Sequence, residues 1–130
     1  DHERSLEYAS RIMEAIVTGK PFKIGGNVIN NGLISNLPSE ACVEVPCFVD
    51  KSGITPTYVG PLPTQLAAMN SSNIYPQLLT IEAAVTGKIE TLYQAAMMDP
   101  RTGMCLSTDE IVAMVNDLVE AHTNAGYPIF

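Results

Sequence analysis

At 130 residues the chain has one domain's worth of length, enough to bury a core. A net charge of −7 argues against nucleic acid or an anionic membrane surface as partner, because both need a basic footprint. Only 16% of residues are charged against 46% hydrophobic, a charge-poor balance that predicts apolar surface covered by a partner.

Residues 5–18 place Leu6, Ala9, Ile12, Met13, Ile16 and Val17 on one stripe, with Glu7, Arg11 and Glu14 outside it. This spacing predicts a first helix, stopped by Gly19 and kept from resuming by Pro21. Residues 22–30 read as extended, with a bulge or close backbone approach at Gly25-Gly26. Asn30-Asn31-Gly32 is a turn signal, since Asn and Gly accept positive φ at little cost. Leu33-Ile34 reads as an apolar strand running to a break at Leu37-Pro38. A strand over Ala41 to Val45 follows, ended or edged by Pro46 and continued by Phe48-Val49. Asp50-Lys51-Ser52-Gly53 is a hairpin loop ahead of Ile54 to Val59. The expected product is a small antiparallel or mixed sheet over residues 22–59.

The second half reads as helical. Pro63 suits a first helical position, Asn70-Ser71-Ser72-Asn73 either interrupts the helix or gives it a polar face, and Pro76 opens or kinks a stretch ending at Gly87. Ile89, Leu92, Tyr93, Ala96 and Met97 form another stripe, stopped by Asp99-Pro100. Ser107-Thr108-Asp109-Glu110 is a capping box, and Ile111, Met114, Val115, Leu118 and Val119 run along one face behind it. With no internal repeat and no low-complexity linker, residues 1–130 read as a single domain of α/β class, α+β in type: a small sheet packed with helices.

Little of this carries chemistry. His122 sits where the dipole of the last helix favours a cation, and His2 lies at the very start. No Cys/His cluster, His-x-x-x-His or Asp-x-Asp spacing supplies a metal site, and no Gly-x-Gly-x-x-Gly opens a helix. Cys42, Cys47 and Cys105 are odd in number; Cys42 and Cys47, five apart, face opposite sides of one strand. All three read as buried, reduced thiols of a cytoplasmic protein. Glu44 alternates with Val43 and Val45, which places it on a solvated face or a groove. The group Asn27, Asn30, Asn31 and Asn36 offers donors and acceptors beyond what a turn needs, and Asn27 and Asn31 are the candidates for a sugar-facing rim.

Further motifs stand in a fixed order: Glu3-Arg4-Ser5 before Glu7-Tyr8-Ala9-Ser10, then Asn27, Asn31-Gly32, Leu37-Pro38 and Val43-Glu44-Val45-Pro46-Cys47. Val59-Gly60-Pro61-Leu62-Pro63 and Asp99-Pro100 complete it. Together they closely resemble the C-terminal part of family 4 glycoside hydrolases, in the α-galactosidase-like branch. The resemblance covers nearly the whole chain; the stretch Asn124 to Phe130 matches no motif of the family, and Leu6 replaces a frequently polar residue. It implies a fold similar to the C-terminal domain of lactate and malate dehydrogenases, with a dinucleotide-binding domain upstream of residue 1. It also implies bound NAD and a divalent metal, usually manganese, in the whole enzyme. The chemistry it implies is hydride removal from a sugar ring, proton abstraction, elimination of the glycosidic bond, addition of water and return of the hydride; such enzymes stand outside the two-carboxylate scheme.

In the family the cofactor loop, the Cys and His metal ligands and the base precede the matched region. None of Cys42, Cys47, Cys105, His2 or His122 inherits those roles, so no catalytic, cofactor-binding or metal-binding residue is assigned, and the chain alone is expected to be inactive. A small-molecule sugar and further copies of the same chain are the expected partners. Two alternatives stand beside this reading: the substrate domain of a 2-hydroxy-acid dehydrogenase, and a non-catalytic assembly or binding module.

Overall fold

The structure is a computed structural model that describes residues 7–127. His2, the Glu3-Arg4-Ser5 motif, Leu6 and Pro128 to Phe130 lie outside the described residues. The chain divides into two compact units, Asp1–Leu62 and Pro63–Phe130.

The first unit contains α1 (Ala9–Thr18), β1 (Phe22–Ile29), β2 (Cys42–Asp50) and β3 (Gly53–Pro56). The strands form one antiparallel sheet in the order β1-β2-β3, as the small-sheet reading required. Strict alternation builds it. Val43, Val45, Cys47 and Val49 point inward and are buried, Val45 at 1% exposure, while Cys42, Glu44, Pro46 and Phe48 point outward. The register is one-to-one from Phe22↔Val49 to Ile29↔Cys42, so no bulge forms at the two glycines. The glycines instead admit close approach: a Cβ on Gly26 would lie 2.7 Å from the Cys47 sulfur, and one on Gly25 would lie 2.8 Å from Glu44 Oε1.

Two expectations for this unit are corrected, at Leu33-Ile34 and at Pro46, and the contact of α1 with the sheet is narrow. The apolar stripe of α1 does not face the sheet as a whole: Ala15 is buried and Ile12 half-buried, but Met13 and Val17 are 67% and 76% exposed. The helix meets the sheet through its smallest residue, which lets backbones approach closely and leaves the bulky side chains outside. Leu33-Ile34 is no strand but part of an ordered loop over residues 30–41. Pro46 does not end β2, which runs straight through it. Its carbonyl accepts from the Thr57 N–H at 2.9 Å and the Thr57 hydroxyl at 2.7 Å, so its imide side faces chain just past the end of β3. The missing N–H therefore removes nothing from the β1–β2 ladder, which is why a central strand tolerates proline here.

The second unit contains α2 (Thr64–Thr86), α3 (Ile89–Met98), α4 (Pro100–Cys105) and α5 (Thr108–Asn124). Helix α2 runs unbroken through Asn70–Asn73, so of the two readings the polar face holds, and Pro76 does not open a separate helix. Asn70 Nδ2 donates to the Leu66 carbonyl, and Asn73 Nδ2 and the Ser72 hydroxyl both donate to the Met69 carbonyl, so these polar groups bond along the helix. Glycines in the left-handed region end α1 at Gly19 and α2 at Gly87. Asp99-Pro100 stops α3 and at once starts the unexpected α4. The Asp99 carboxylate accepts from the N–H groups of Arg101 and Thr102 and from the Thr102 hydroxyl, with Pro100 at the first helical position.

The capping box of α5 forms as expected. Glu110 Oε2 accepts from the Ser107 N–H at 2.7 Å and its hydroxyl at 2.8 Å. The Ser107 backbone bond, then its hydroxyl, holds the Glu110 carboxyl below the usual carboxylate range. A depressed folded-state pKa means stabilisation that is present above the unfolded pKa and lost as pH falls through the folded one. Glu110→Ala should therefore lower the urea midpoint at neutral pH, with the gap to the parent closing in acid. A gap independent of pH would show that the charge contributes nothing to the cap.

Candidate functional site

The outer face of the sheet is the first surface with groups to offer a ligand. Asn27 pairs in register with Glu44 across β1 and β2, both exposed, and Gly25 leaves the Glu44 carboxylate room to lie over the neighbouring strand. Ile29, Cys42 and Phe48 complete this face with apolar and thiol groups. Such a patch can exchange hydrogen bonds with hydroxyls. Cys47 is buried as expected, but Cys42 and Cys105 are exposed, and all three are free, so the buried reading holds for one cysteine of three.

The loop over residues 30–41 shows what its asparagines do. Asn30 is fully buried and central. Its Nδ2 donates to the carbonyls of Ile34 (2.9 Å), Leu37 (3.1 Å) and Pro38 (3.0 Å), and its Oδ1 accepts from the Ile34 N–H at 2.7 Å. Asn36 clamps the following segment, donating to the Leu62 carbonyl at 2.8 Å and accepting from the Leu62 N–H at 2.9 Å. Asn31 adopts φ +42° beside Gly32 at +85°, the turn its sequence signals, and its N–H donates to the Ser39 carbonyl at 2.9 Å. The side chains of Asn27 and Asn31 are exposed, on the sheet face and on the loop respectively. Of the four asparagines, two hold the loop together and two remain turned to solvent. Asn30 was missed as a structural centre, although the alternation that sends Ile24 and Val28 inward sends residue 30 inward too.

In the second unit a groove of about 940 Å³ runs between α2 and α5 over α3. Its lining is mostly apolar, with Ala84, Ala95, Met114 and Leu118, and its polar groups include Asp99 and His122. The Asp99 carboxyl is held below the usual range, chiefly by the Thr102 backbone bond. His122, in the last turn of α5, packs edge-on against Tyr127 with ring centroids 5.7 Å apart. Among the described residues no three or more His, Cys, Asp or Glu side chains come together as a metal ligand set. No helix described is long and apolar enough to cross a membrane.

The family model for the family 4 glycosyl hydrolase C-terminal domain matches residues 1–102. The α-galactosidase of Bacillus subtilis (strain 168) is 60% identical over 121 residues, which are 93% of this chain and 28% of that protein. Among solved structures, a 6-phospho-α-glucosidase from gut microorganisms in complex with NAD and glucose-6-phosphate superposes with a TM-score of 0.79 at 27% identity, covering 92% of this chain and 26% of that one. A second 6-phospho-α-glucosidase, in complex with NAD and Mn2+, shares the fold at TM-score 0.76 and 18% identity, covering 93% of this chain and 27% of that one. The chain thus spans about a quarter of the length of the proteins it matches. It belongs to the family 4 glycosyl hydrolases, as a piece of their C-terminal domain.

Proposed function

We propose that this chain supplies the C-terminal part of an NAD- and manganese-dependent glycosidase that cleaves α-galactosides in the cytoplasm and works as a homo-oligomer. The observation that carries the reading is the 60% identity to an α-galactosidase over 93% of the chain. NAD and Mn2+ accompany solved relatives of the same fold. The described residues do not fit either group: they gather no metal ligand set, and no glycine-rich phosphate loop opens a helix. The share assigned to this chain is therefore scaffolding, with Asn27 and Asn31 offered to sugar hydroxyls from the outer sheet face and the loop.

The test is a chimera in which this chain replaces the corresponding segment of the Bacillus subtilis α-galactosidase. The expected result is turnover of a nitrophenyl α-galactoside that depends on NAD and manganese, while the isolated chain shows neither turnover nor NAD binding. A chimera that melts cooperatively and binds NAD but cleaves only phosphorylated glucosides would overturn the substrate assignment. Within the chimera, Asn31→Gly separates side chain from backbone, since glycine reaches the same positive φ without strain. A tenfold loss of kcat/KM, about 1.4 kcal/mol of transition-state stabilisation, with unchanged melting would support the sugar rim. Unchanged kinetics would reduce Asn31 to its turn.

A further inference from the structure

We propose that Asn31 is a site of spontaneous covalent modification: the Gly32 backbone nitrogen closes onto the Asn31 side chain, ammonia leaves, and water reopens the ring to aspartate or isoaspartate. The reaction needs only water and hydroxide, and it stands apart from the catalytic assignment.

Asn31 is the chain's only asparagine followed by glycine, the one residue that puts no Cβ beside the attacking nitrogen. The fold then decides whether the reaction is open to this pair. The Asn30 carbonyl accepts from the Leu33 N–H at 2.8 Å, closing a turn with Asn31 at φ +42° and Gly32 at +85°. Positive φ at both central residues makes it a type I′ turn, whose closing hydrogen bond leaves the middle peptide out. Among the described residues neither the Asn31 carbonyl nor the Gly32 N–H has a hydrogen-bond partner, and the Asn31 side-chain amide has none either. Both residues are exposed, and a Cβ on Gly32 would meet nothing within 4 Å. The middle peptide is therefore free to rotate its nitrogen toward Asn31 Cγ.

Other asparagines are closed to this chemistry. The amide of Asn30 is held in four buried bonds, and the N–H that would attack it, that of Asn31, is bonded to the Ser39 carbonyl at 2.9 Å. Asn36 is clamped to Leu62. Asn70-Ser71 lies inside α2, where the Ser71 N–H belongs to the helix ladder and Asn70 Nδ2 donates to the Leu66 carbonyl at 2.9 Å.

The step balances without any transfer of electrons to an outside group. Hydroxide takes the Gly32 N–H proton, the nitrogen bonds to Asn31 Cγ, and the Cγ–Nδ2 bond breaks as ammonia leaves with a proton from solvent. Water then opens the imide at the side-chain carbonyl, giving aspartate, or at the backbone carbonyl, giving isoaspartate. Either product adds a negative charge at the loop tip. Isoaspartate also routes the backbone through one extra methylene, in the turn that sets Asn30 onto its partners.

The test keeps the 130-residue chain folded in mildly alkaline buffer, samples it over weeks, and maps its peptides by mass spectrometry. The expected result is conversion at Asn31 to both aspartate and isoaspartate, faster as pH rises and at least tenfold faster than at Asn70. The same mapping in urea gives the unfolded rates. Folding should slow Asn70 strongly but Asn31 by less than about tenfold, because its peptide is already exposed and unbonded. Conversion no faster than at Asn70 in the folded chain would overturn the proposal. So would equal protection of the two residues by folding, or aspartate formed without isoaspartate, the mark of direct hydrolysis. The unsubstituted chain is used throughout, so no variant has to fold, and the chimera assay reads the catalytic assignment separately.

Discussion

Asn30→Leu should destabilise the first unit by roughly 3 kcal/mol or more, one of the largest single-residue effects available in it. The side chain is fully buried and joins one N–H and three carbonyls of residues 34–38. Leucine is close in volume and removes all four bonds; the Ile34 N–H and the Leu37 carbonyl then lose their partner at the full cost of desolvation, while the Ile34 and Pro38 carbonyls still accept from the N–H groups of Leu37 and Ala41. Asn30→Asp is the sharper probe. It keeps an acceptor for the Ile34 N–H but turns a carboxylate oxygen toward three carbonyl oxygens at 2.9–3.1 Å. Burial and these acceptors favour the protonated acid, so its folded-state pKa lies above its unfolded one. Stability is then highest in acid and falls as pH rises past the unfolded aspartate pKa of about 3.9. Urea unfolding at pH 3 and pH 7 checks this. Equal deficits at the two pH values would show that water reaches the site.

The second large effect belongs to Gly26. Gly26→Ala puts a Cβ 2.7 Å from the Cys47 sulfur, inside a sheet face where Cys47 is fully buried. The sulfur can move only by rotating about the Cα–Cβ bond within a fully buried site, so the cost should be about 1–3 kcal/mol, the range for overpacking a core. Gly25→Ala next to it is the control: its Cβ meets the far end of the exposed Glu44 side chain, which can move into solvent. Its effect should stay within about 0.5 kcal/mol. Adding Cys47→Ala to Gly26→Ala should recover part of the loss, because the clash is with that one atom. If both glycines tolerate alanine equally, the close strand approach is not what constrains residue 26.

Much of this architecture could be read from residues alone, for identifiable reasons. Alternation over residues 22–28 and 43–49 gave the sheet, Asp50 to Gly53 its hairpin, and Ser107 to Glu110 the start of α5. Where the reading failed or stayed open, an atom's partner was not visible in a local pattern. Asn70, Ser72 and Asn73 fit either a break or a polar face in sequence, and the polar face is fixed by side chains bonding to carbonyls of the same helix. Pro46 looks like a strand end until its imide is seen to face chain beyond the end of β3. The stripe of α1 predicts a helix but not its contact with the sheet, where Ala15 is buried while the bulkier Met13 and Val17 are exposed. Membership of the glycosidase family decides against the dehydrogenase alternative on the strength of motifs in the same chain. The site was the least legible part. The four asparagines look alike in sequence, and only their hydrogen bonds divide them into two that build the loop and two that face outward.

The pairing at Gly25 and Pro46 has a consequence for solubility. Because Pro46 turns its carbonyl toward Thr57, its partner Gly25 turns its own backbone groups to the free side of β1, where the Tyr8 hydroxyl donates to the Gly25 carbonyl at 3.3 Å. A tyrosine thus occupies an acceptor that an intruding strand would use. On the far side β3 ends after four residues at Pro56, which has no N–H to give. Both margins of the sheet are blunted against edge-to-edge growth. Each feature opposes the strand-on-strand pairing by which an apolar, valine-rich strand pair would template fibrils.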